Sequence, residues 1–466
     1  MLKEAKYEKM RKDILARILS GQFPDKRLPS IKQLAEAYEV SLMTANKAVK
    51  LLEEAGIVQC RPGNVGTVID EKRAAMICSQ MAPRHTWVDI NVFIEKQVKV
   101  RYFCSDYNPQ RSTSWEEVVK LFKQKYPWTD IEIVTSDSMA DNFAKKLDCD
   151  VVQVFGRDVP RYRRRNLLLD ITDLVASSVD LDAFLPNCID QCQVDKRFFA
   201  LPTTVNTPVI FYNKKKFGTQ SAKLSQSWKL FLDVVKGAVA DGRYTAINLG
   251  LASVLHCFIG DIRQLATGMA NQDAFLELLR IMKYITLAAP NDVALQPDNV
   301  IKGFIDQDIY FFCAYSAYIG EISQRSNFDW GILPMPEAAA GNPVIETCVN
   351  GINTASKHQK EAWLFVKFLG SQAAQDVFAR ERENIPVNKF VFEDVYALRA
   401  PSDGKVLKDA IGRATPSSVS SQNLYTIYSG ITPILEDYYS SHRQAEETIE
   451  LLLEYICDML LLEDLD

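Results

Sequence analysis

The sequence predicts a multidomain chain, α+β at its front and α/β along the rest, and three observations lead there. At 466 residues it is longer than one hydrophobic core usually spans. Its first 70 or so residues read as short helices followed by two strands, whereas the remainder alternates strands with helices, the pattern of βαβ units. Charge divides at the same place: residues 1–73 carry 14 Lys and Arg against 10 Asp and Glu, net +4, which leaves 40 against 49, net −9, for the rest. A basic module on an acidic body suggests that the front end meets a polyanion.

In "KYEKMRKDILARILSG", Met10, Ile14, Leu15 and Ile18 repeat at helical spacing and Gly21 ends the run. Ser30 and Gln33 form an S-x-x-Q capping box ahead of "IKQLAEAY". A turn at Glu39–Val40–Ser41 leads to "LMTANKAVKLLEEAG", with Ser41 as its N-cap. The periodicity turns Ala45, Ala48, Val49 and Leu52 inward and Leu42, Met43, Asn46, Lys47 and Lys50 outward. Two short helices on a tight turn predict a helix-turn-helix, and "IVQCRPGNVGTVI" predicts two strands around a glycine turn, a wing.

Gly21, Leu28-Pro29-Ser30, Leu34-Ala35, Val40-Ser41, Thr44, Leu52-Glu53, Gly56 and Gly66-Thr67, in this order, resemble the winged helix-turn-helix of GntR-type bacterial regulators. The resemblance implies that the start of the second helix enters the major groove of operator DNA while the wing reaches the adjacent groove or backbone. It draws the contact surface from Ser30, Lys32, Ser41, Leu42, Met43, Thr44, Asn46, Lys47, Lys50, Arg61, Gly63 and Gly66. Lys32, Leu42 and Asn46 stand where this family often has arginine, and Gly63 and Gly66 lie one residue further apart than usual, so the family's usual operator does not follow. By chemistry, the Asn46 amide suits adenine, Leu42 or Met43 suits a thymine methyl, and Lys32, Lys47, Lys50 and Arg61 suit phosphates.

Residues 74–97 show no clean period and read as a linker. The strand-like "KVRYFC" follows, then the helix "WEEVVKLFKQKYP" behind Ser114, the strands "IEIVT" and "CDVVQVF", "LLLDITDLV", and the segment "FALPTTVNTPVIFYNKKKF", where Pro202 and Pro208 restrict the backbone around Thr203–Thr207. Further on come "SWKLFLDVVKGA", "FDWGILPMP", "VNGINTASKHQKEAWLFVKFLGS" and a final helical stretch. This succession resembles bacterial extracellular solute-binding proteins of the type that includes the maltose-binding proteins, over residues 98–462.

That resemblance implies a two-lobed, periplasmic-binding-protein-like α/β clamp closing on a ligand, commonly a sugar or oligosaccharide. Lobe 1 is expected at about 98–205 with 313–348, and lobe 2 at about 206–307 with 349–462. Chain crossings are expected at Thr203–Thr207, near Asp308–Phe312 and near Val344–Asn350. Carried over by motif, Asp106 and Tyr107 follow the first strand, Phe155 and Arg157 follow the third, Asn206 sits in the crossing, and Tyr315 and Trp330 are cleft-side aromatics; Trp115 is a weaker candidate. Aromatic platforms beside amides and carboxylates suit the C–H faces and hydroxyls of a sugar. The arginines of "GRDVPRYRRRN" read as a solvated basic loop.

Four histidines, none in a nucleophile or metal signature, and the absence of HExxH, GxSxG or a phosphate loop argue against an enzyme and against a metal or cofactor. The Cys188–Cys192 spacing, without a second pair, reads as buried core rather than zinc. The charged start from Lys3 to Lys12 resembles no export signal, so the expected compartment is the cytoplasm. The expected function is a GntR-type regulator controlled by a small-molecule effector, a carbohydrate, and acting as a homodimer on operator DNA. The alternative, a binding protein serving carbohydrate transport, requires export and leaves residues 6–69 without a role.

Overall fold

The computed structural model describes residues 6–19, 22–23, 25–54, 56–61, 66–70, 98–105, 114–126, 129–135, 146–217, 221–240, 244–248, 256–258, 263, 272–288, 297–336, 343–381, 385–397 and 404–465. Asp106, Tyr107, Gly63 and the expected linker 74–97 lie outside them. By contacts the chain divides into two compact units, Met1–Val100 with Val119–Glu132, and Arg101–Val118 with Ile133–Asp466.

At the front, helices α1 (Lys6–Leu19), α2 (Ile31–Ala37) and α3 (Leu42–Glu54) precede the antiparallel strands β1 (Val58–Arg61) and β2 (Gly66–Ile69). The capping box forms as the sequence predicts: Gln33 N donates to Ser30 Oγ (3.3 Å) and Ser30 N donates to Gln33 Oε1 (2.9 Å). Glu39, at φ 52°, makes the tight turn, and Ser41 Oγ accepts from Thr44 N (3.1 Å) to open α3. Gly56, at φ 70°, ends α3 by letting Ile57 N reach back to Leu52 O (2.9 Å). Met10, Ile14, Leu15, Ile18, Ala45, Ala48, Val49 and Leu52 are buried in one apolar cluster.

The rest is built on two mixed sheets. The larger runs in the order β14 (Ile385–Pro386), β8 (Ala200–Asn206), β13 (Val344–Ile352), β5 (Val151–Phe155), β3 (Val98–Phe103) and β4 (Thr129–Val134), with β15 (Thr415–Pro416) beside β13. The smaller runs β10 (Tyr244–Asn248), β11 (Ile309–Tyr315), β9 (Pro208–Asn213) and β12 (Trp330–Pro334). The two-residue strands β6 (Gln193–Val194) and β7 (Arg197–Phe198) form a separate hairpin. Although strand–helix alternation suggested parallel sheets, β8 and β5 flank β13 antiparallel, as β11 and β12 flank β9, because the chain re-enters each sheet from the other.

Those pairings correct the expected division of segments. Strands β11 and β12 pair with β9, so residues 313–334, expected with 98–205, run with the smaller sheet. Strand β13 lies wholly in the larger sheet, so 349–352 run there too, and the helix Gln359–Leu369 packs on β13 and β8. The chain passes between sheets at Thr207, between Pro334 and Val344, and again after β15, where Val419, Leu424 and Ile427 join the core of the smaller sheet. The expected crossing at Asp308–Phe312 is instead the entry to β11. The cause is that apolar strands look alike in sequence whichever sheet they enter.

Each sheet has an aromatic core. Tyr102, Trp115, Phe365 and Phe378 pack edge-on or tilted at 4.9–5.5 Å around the larger one, which makes Trp115 a core residue. Phe211 stacks on Phe312 at 4.9 Å in the smaller one. The fully buried Gln375 ties the approach to the crossing, donating to Thr203 O (2.9 Å) and Leu369 O (2.8 Å) and accepting from Val387 N (2.8 Å) and Asn388 N (3.2 Å). Ile449, Leu452, Ile456 and Leu460 of the last helix are buried in the core of the smaller sheet.

Candidate functional site

On the front module, the residues that periodicity turned outward are outside. Leu42 is 58% and Met43 81% exposed, a position for large apolar side chains that nothing in the module covers. Asn46, Lys47, Lys50 and Lys32 are exposed beside them, and Thr44 is half-buried. Lys47 Nζ sits 3.8 Å from the Tyr7 ring centroid, a cation–π contact that holds it on the α1 side of α3. Ser30 and Ser41 spend their hydroxyls on the caps of α2 and α3, so their part at this surface is to set the helices. Arg61, exposed on β1, donates to Gln59 Oε1 at 3.2 and 3.3 Å, and Gly66 opens β2 at φ 69°. An exposed apolar and amide-bearing patch rimmed by cations is a surface that can meet base edges and phosphates together.

In the α/β body the polar groups converge where β8 becomes β9. Thr207 N donates to Ser316 Oγ (3.1 Å), Ser316 N to Thr207 O (2.9 Å), and Ser316 Oγ to Asn206 Oδ1 (3.3 Å). Thr207 Oγ1 donates to Val344 O (3.1 Å), which ties the crossing to the start of β13. Register places Glu346 opposite Asn206. Its Oε1 accepts from Arg157 Nη1 at 2.6 Å and from the Tyr315 hydroxyl at 3.1 Å, so one carboxylate joins a residue following β5 to one ending β11. The Arg157 guanidinium also lies over the Phe155 ring, 4.5 Å from its centroid. Burial works against the Arg157 charge, but Glu346 and then Asp158 more than offset it and raise its pKa above the ordinary value.

Phe155, Arg157, Asn206 and Tyr315 are thus brought together. Trp330 is not: it is 6% exposed, packs against Phe211 at 6.0 Å, and pairs with Asn213 at the end of β9 away from the crossing. Glu346 and Ser316 were missed. Glu346 had a signal, being the one charged residue in the apolar strand Val344–Ile352; Ser316 had none.

A cleft of about 550 Å³ opens beside Arg157, lined by Gly156, Pro160, Asp190, Gln191, Gln193 and the segment Arg413–Ser418. Gly156 is required there, since a Cβ would stand 2.5 Å from Gln191 Cβ, and Gln191 is itself held by donating to Thr347 Oγ1 at 2.7 Å. Guanidinium, carboxylate, amide and hydroxyl groups with an aromatic neighbour can donate to and accept from a small polar molecule. Among the described residues no group of three or more His, Cys, Asp or Glu could hold a metal ion, and no helix is long and apolar enough to cross a membrane. Cys188 and Cys192 are fully buried core residues; burial pushes the Cys188 thiol up to about 12.

Comparison with known proteins separates the same two parts. Residues 6–69 match the model of bacterial regulatory proteins of the gntR family, and residues 108–376 match that of bacterial extracellular solute-binding proteins. Among solved structures, maltose-bound MalE3 of T. maritima is similar at 18% identity and TM-score 0.65, over 77% of this chain and 99% of that one. The Listeria monocytogenes substrate-binding protein Lmo0181, in complex with cycloalternan, is similar at 15% identity and TM-score 0.63, over 78% and 99%. The GacH receptor of Streptomyces glaucescens, solved unliganded and with acarbose, is similar at 15% identity and TM-score 0.62, over 78% and 99%. At these identities the likeness concerns the fold. No curated protein matches.

Proposed function

Because the chain belongs to the bacterial extracellular solute-binding protein family and carries a gntR-family domain ahead of that match, we propose that it is a DNA-binding transcription regulator whose hold on DNA is set by a small polar effector bound beside the β8–β9 crossing. The observation that carries this is the presence of both domains in one chain: a clamp serving transport has no use for a helix-turn-helix with an exposed Leu42–Lys50 face. The effector is a carbohydrate. That is supported by the groups around Glu346, which suit hydroxyls, and by relatives whose names record maltose, cycloalternan and acarbose. The protein works in the cytoplasm, where its DNA is, and as a homodimer, since one winged module reads few base pairs and pairs of them read two half-sites.

By their position in the sequence, soon after β3, Asp106 and Tyr107 are assigned to the same ligand set, and residues 74–97 are assigned the coupling of clamp to module. Ligand can act on DNA affinity only through a difference in its affinity for the DNA-competent and other arrangements, and a usual coupling of 1–3 kcal/mol corresponds to about 5–150-fold. A thermal-shift screen against a sugar library identifies the ligand, which at 100 times its Kd adds about 2.7 kcal/mol of stability. Duplex DNA is then titrated with and without it at fixed salt. A 5-fold or larger change supports the reading, and equal affinities with the clamp saturated overturn it.

A further inference from the structure

The arginine-rich segment that read as a solvated loop is a built, positively charged surface. It lies on the short helix Val159–Arg164 and its cap, where Arg163, Arg164 and Arg165 are exposed and Arg161 half-buried. The backbone is fastened by Arg165 N to Arg161 O (3.2 Å), Asn166 N to Arg163 O (2.9 Å) and Leu167 N to Tyr162 O (3.0 Å), with Asn166 turned back at φ 53°. The β6–β7 hairpin lies alongside, its turn made by Asp195 and Lys196 at φ 53° and 62°, and Arg163 Nη2 reaches Asp195 Oδ2 at 3.5 Å. That contact holds the turn that carries Lys196, also exposed, against Arg163.

Most of this charge is uncompensated. Asp195 answers Arg163 and Asp170 is taken by Arg197 at 2.5 Å, while Arg161, Arg164, Arg165 and Lys196 form no ion pair among the described residues. One cation in the last turn would satisfy the helix dipole; four within five positions repel one another, as the Arg161–Arg165 pair at i, i+4 does. The concentration stands on a body whose residues 74–466 carry net −9, so it opposes the surrounding field.

We propose that Arg161, Arg163, Arg164, Arg165 and Lys196 form a second surface for duplex DNA, holding the phosphate backbone without reading sequence. Duplex DNA is favoured over other polyanions because residues 6–69 already bring this chain to it, and the proposal rests on that reading. The 27 residues between Asp70 and Val98 span at most about 100 Å, within the length of a duplex of some 60 base pairs.

The experiment measures full-chain affinity for a random duplex of about 60 base pairs across salt concentrations. Each phosphate contact contributes about 0.9 to the slope of log K against log salt, so Arg163→Gln/Arg164→Gln/Arg165→Gln should make it shallower by about 2–3. Arg163→Lys/Arg164→Lys/Arg165→Lys should keep the wild-type slope, and Lys214→Gln/Lys215→Gln/Lys216→Gln, the same charge change elsewhere on the body, should leave it unaltered. An unchanged slope in the glutamine variant of the arginine patch, an equal loss in its lysine variant, or an equal loss in the Lys214–Lys216 control overturns the proposal. So does a loss confined to single-stranded RNA. Lys47→Ala/Lys50→Ala separates the two readings: without effect while the arginine variant is shallower, it removes the front module from DNA and leaves this surface; the reverse result removes only this surface.

Discussion

Removing the Glu346 carboxylate tests whether the polar cluster at the crossing is a coupled unit. Its Oε1 accepts a charge-assisted hydrogen bond from Arg157 at 2.6 Å and a neutral one from the Tyr315 hydroxyl at 3.1 Å, and the two charged side chains are only 9% and 16% exposed. A hydrogen bond to a charged group contributes about 1.5–3 kcal/mol and a neutral one about 0.5–1.5 kcal/mol, so Glu346→Ala forfeits roughly 2–4.5 kcal/mol. The loss of one partner of a buried pair, about 3–5 kcal/mol, gives an overlapping range by another route, because Arg157 loses the larger of the two carboxylates that support its charge, Glu346 ahead of Asp158. Glu346→Gln keeps the shape and an acceptor for Tyr315 and should lose about 1.5–3 kcal/mol. Arg157→Met/Glu346→Leu removes both charges and should lie within about 1 kcal/mol of wild type. Urea unfolding followed by tryptophan fluorescence, completed with Arg157→Met alone as a double-mutant cycle, measures the coupling. If Glu346→Ala costs no more than the double replacement, the pair is not coupled and the reasoning fails.

Lys50→Ala should make the salt slope of DNA binding shallower by about 0.9 without altering base preference, whereas Asn46→Ala should relax base preference with the slope kept; binding to a panel of duplexes at several salt concentrations reads both. Asn206→Leu should weaken ligand binding by about 1–3 kcal/mol in calorimetry, since it leaves ligand polar atoms unpaired, with the unliganded melting behaviour little changed. Asp170 predicts a pH effect. Burial acts to raise its pKa, but the hydrogen bonds from Thr172 Oγ1 (2.6 Å) and N (3.0 Å), with Arg197, outweigh it and hold the pKa below the usual carboxylate value. A depressed folded-state pKa contributes stability above the unfolded value of about 3.9 and loses it as pH falls through the folded one. The stability gap between wild type and Asp170→Asn should therefore be full near neutrality and close below about pH 4; a gap that widens on acidification would refute this.

The front module was legible almost residue by residue. Ser30 with Gln33, Ser41, Gly56 and the spacing of Ala45, Ala48, Val49 and Leu52 each appear where reading along the chain put them, and Leu42 and Met43 are exposed as their phase required. The strands of the body were legible as strands, but not their sheet: residues 313–334 were expected with the wrong one. Strand ends and the crossing bring Phe155, Arg157, Asn206 and Tyr315 together around Glu346, while Trp330, equally aromatic, belongs to the core.

What the sequence determined by itself is what is decided within a turn of helix or a pair of strand residues: caps, turns, the face each helix presents, and the proline-restricted passage at Thr207. Such features depend on neighbours three or four positions away, and those are always in view. Only the tertiary structure decided that Arg157 meets Glu346, 189 positions distant, that Tyr315 completes the pair, and that Arg163 lies against the Asp195–Lys196 turn. Those meetings follow from which strand edge captures which segment, and a strand's hydrogen-bonding edge is the same backbone whatever its sequence. The choice is made by packing summed over a whole sheet, a quantity that no local stretch of residues carries.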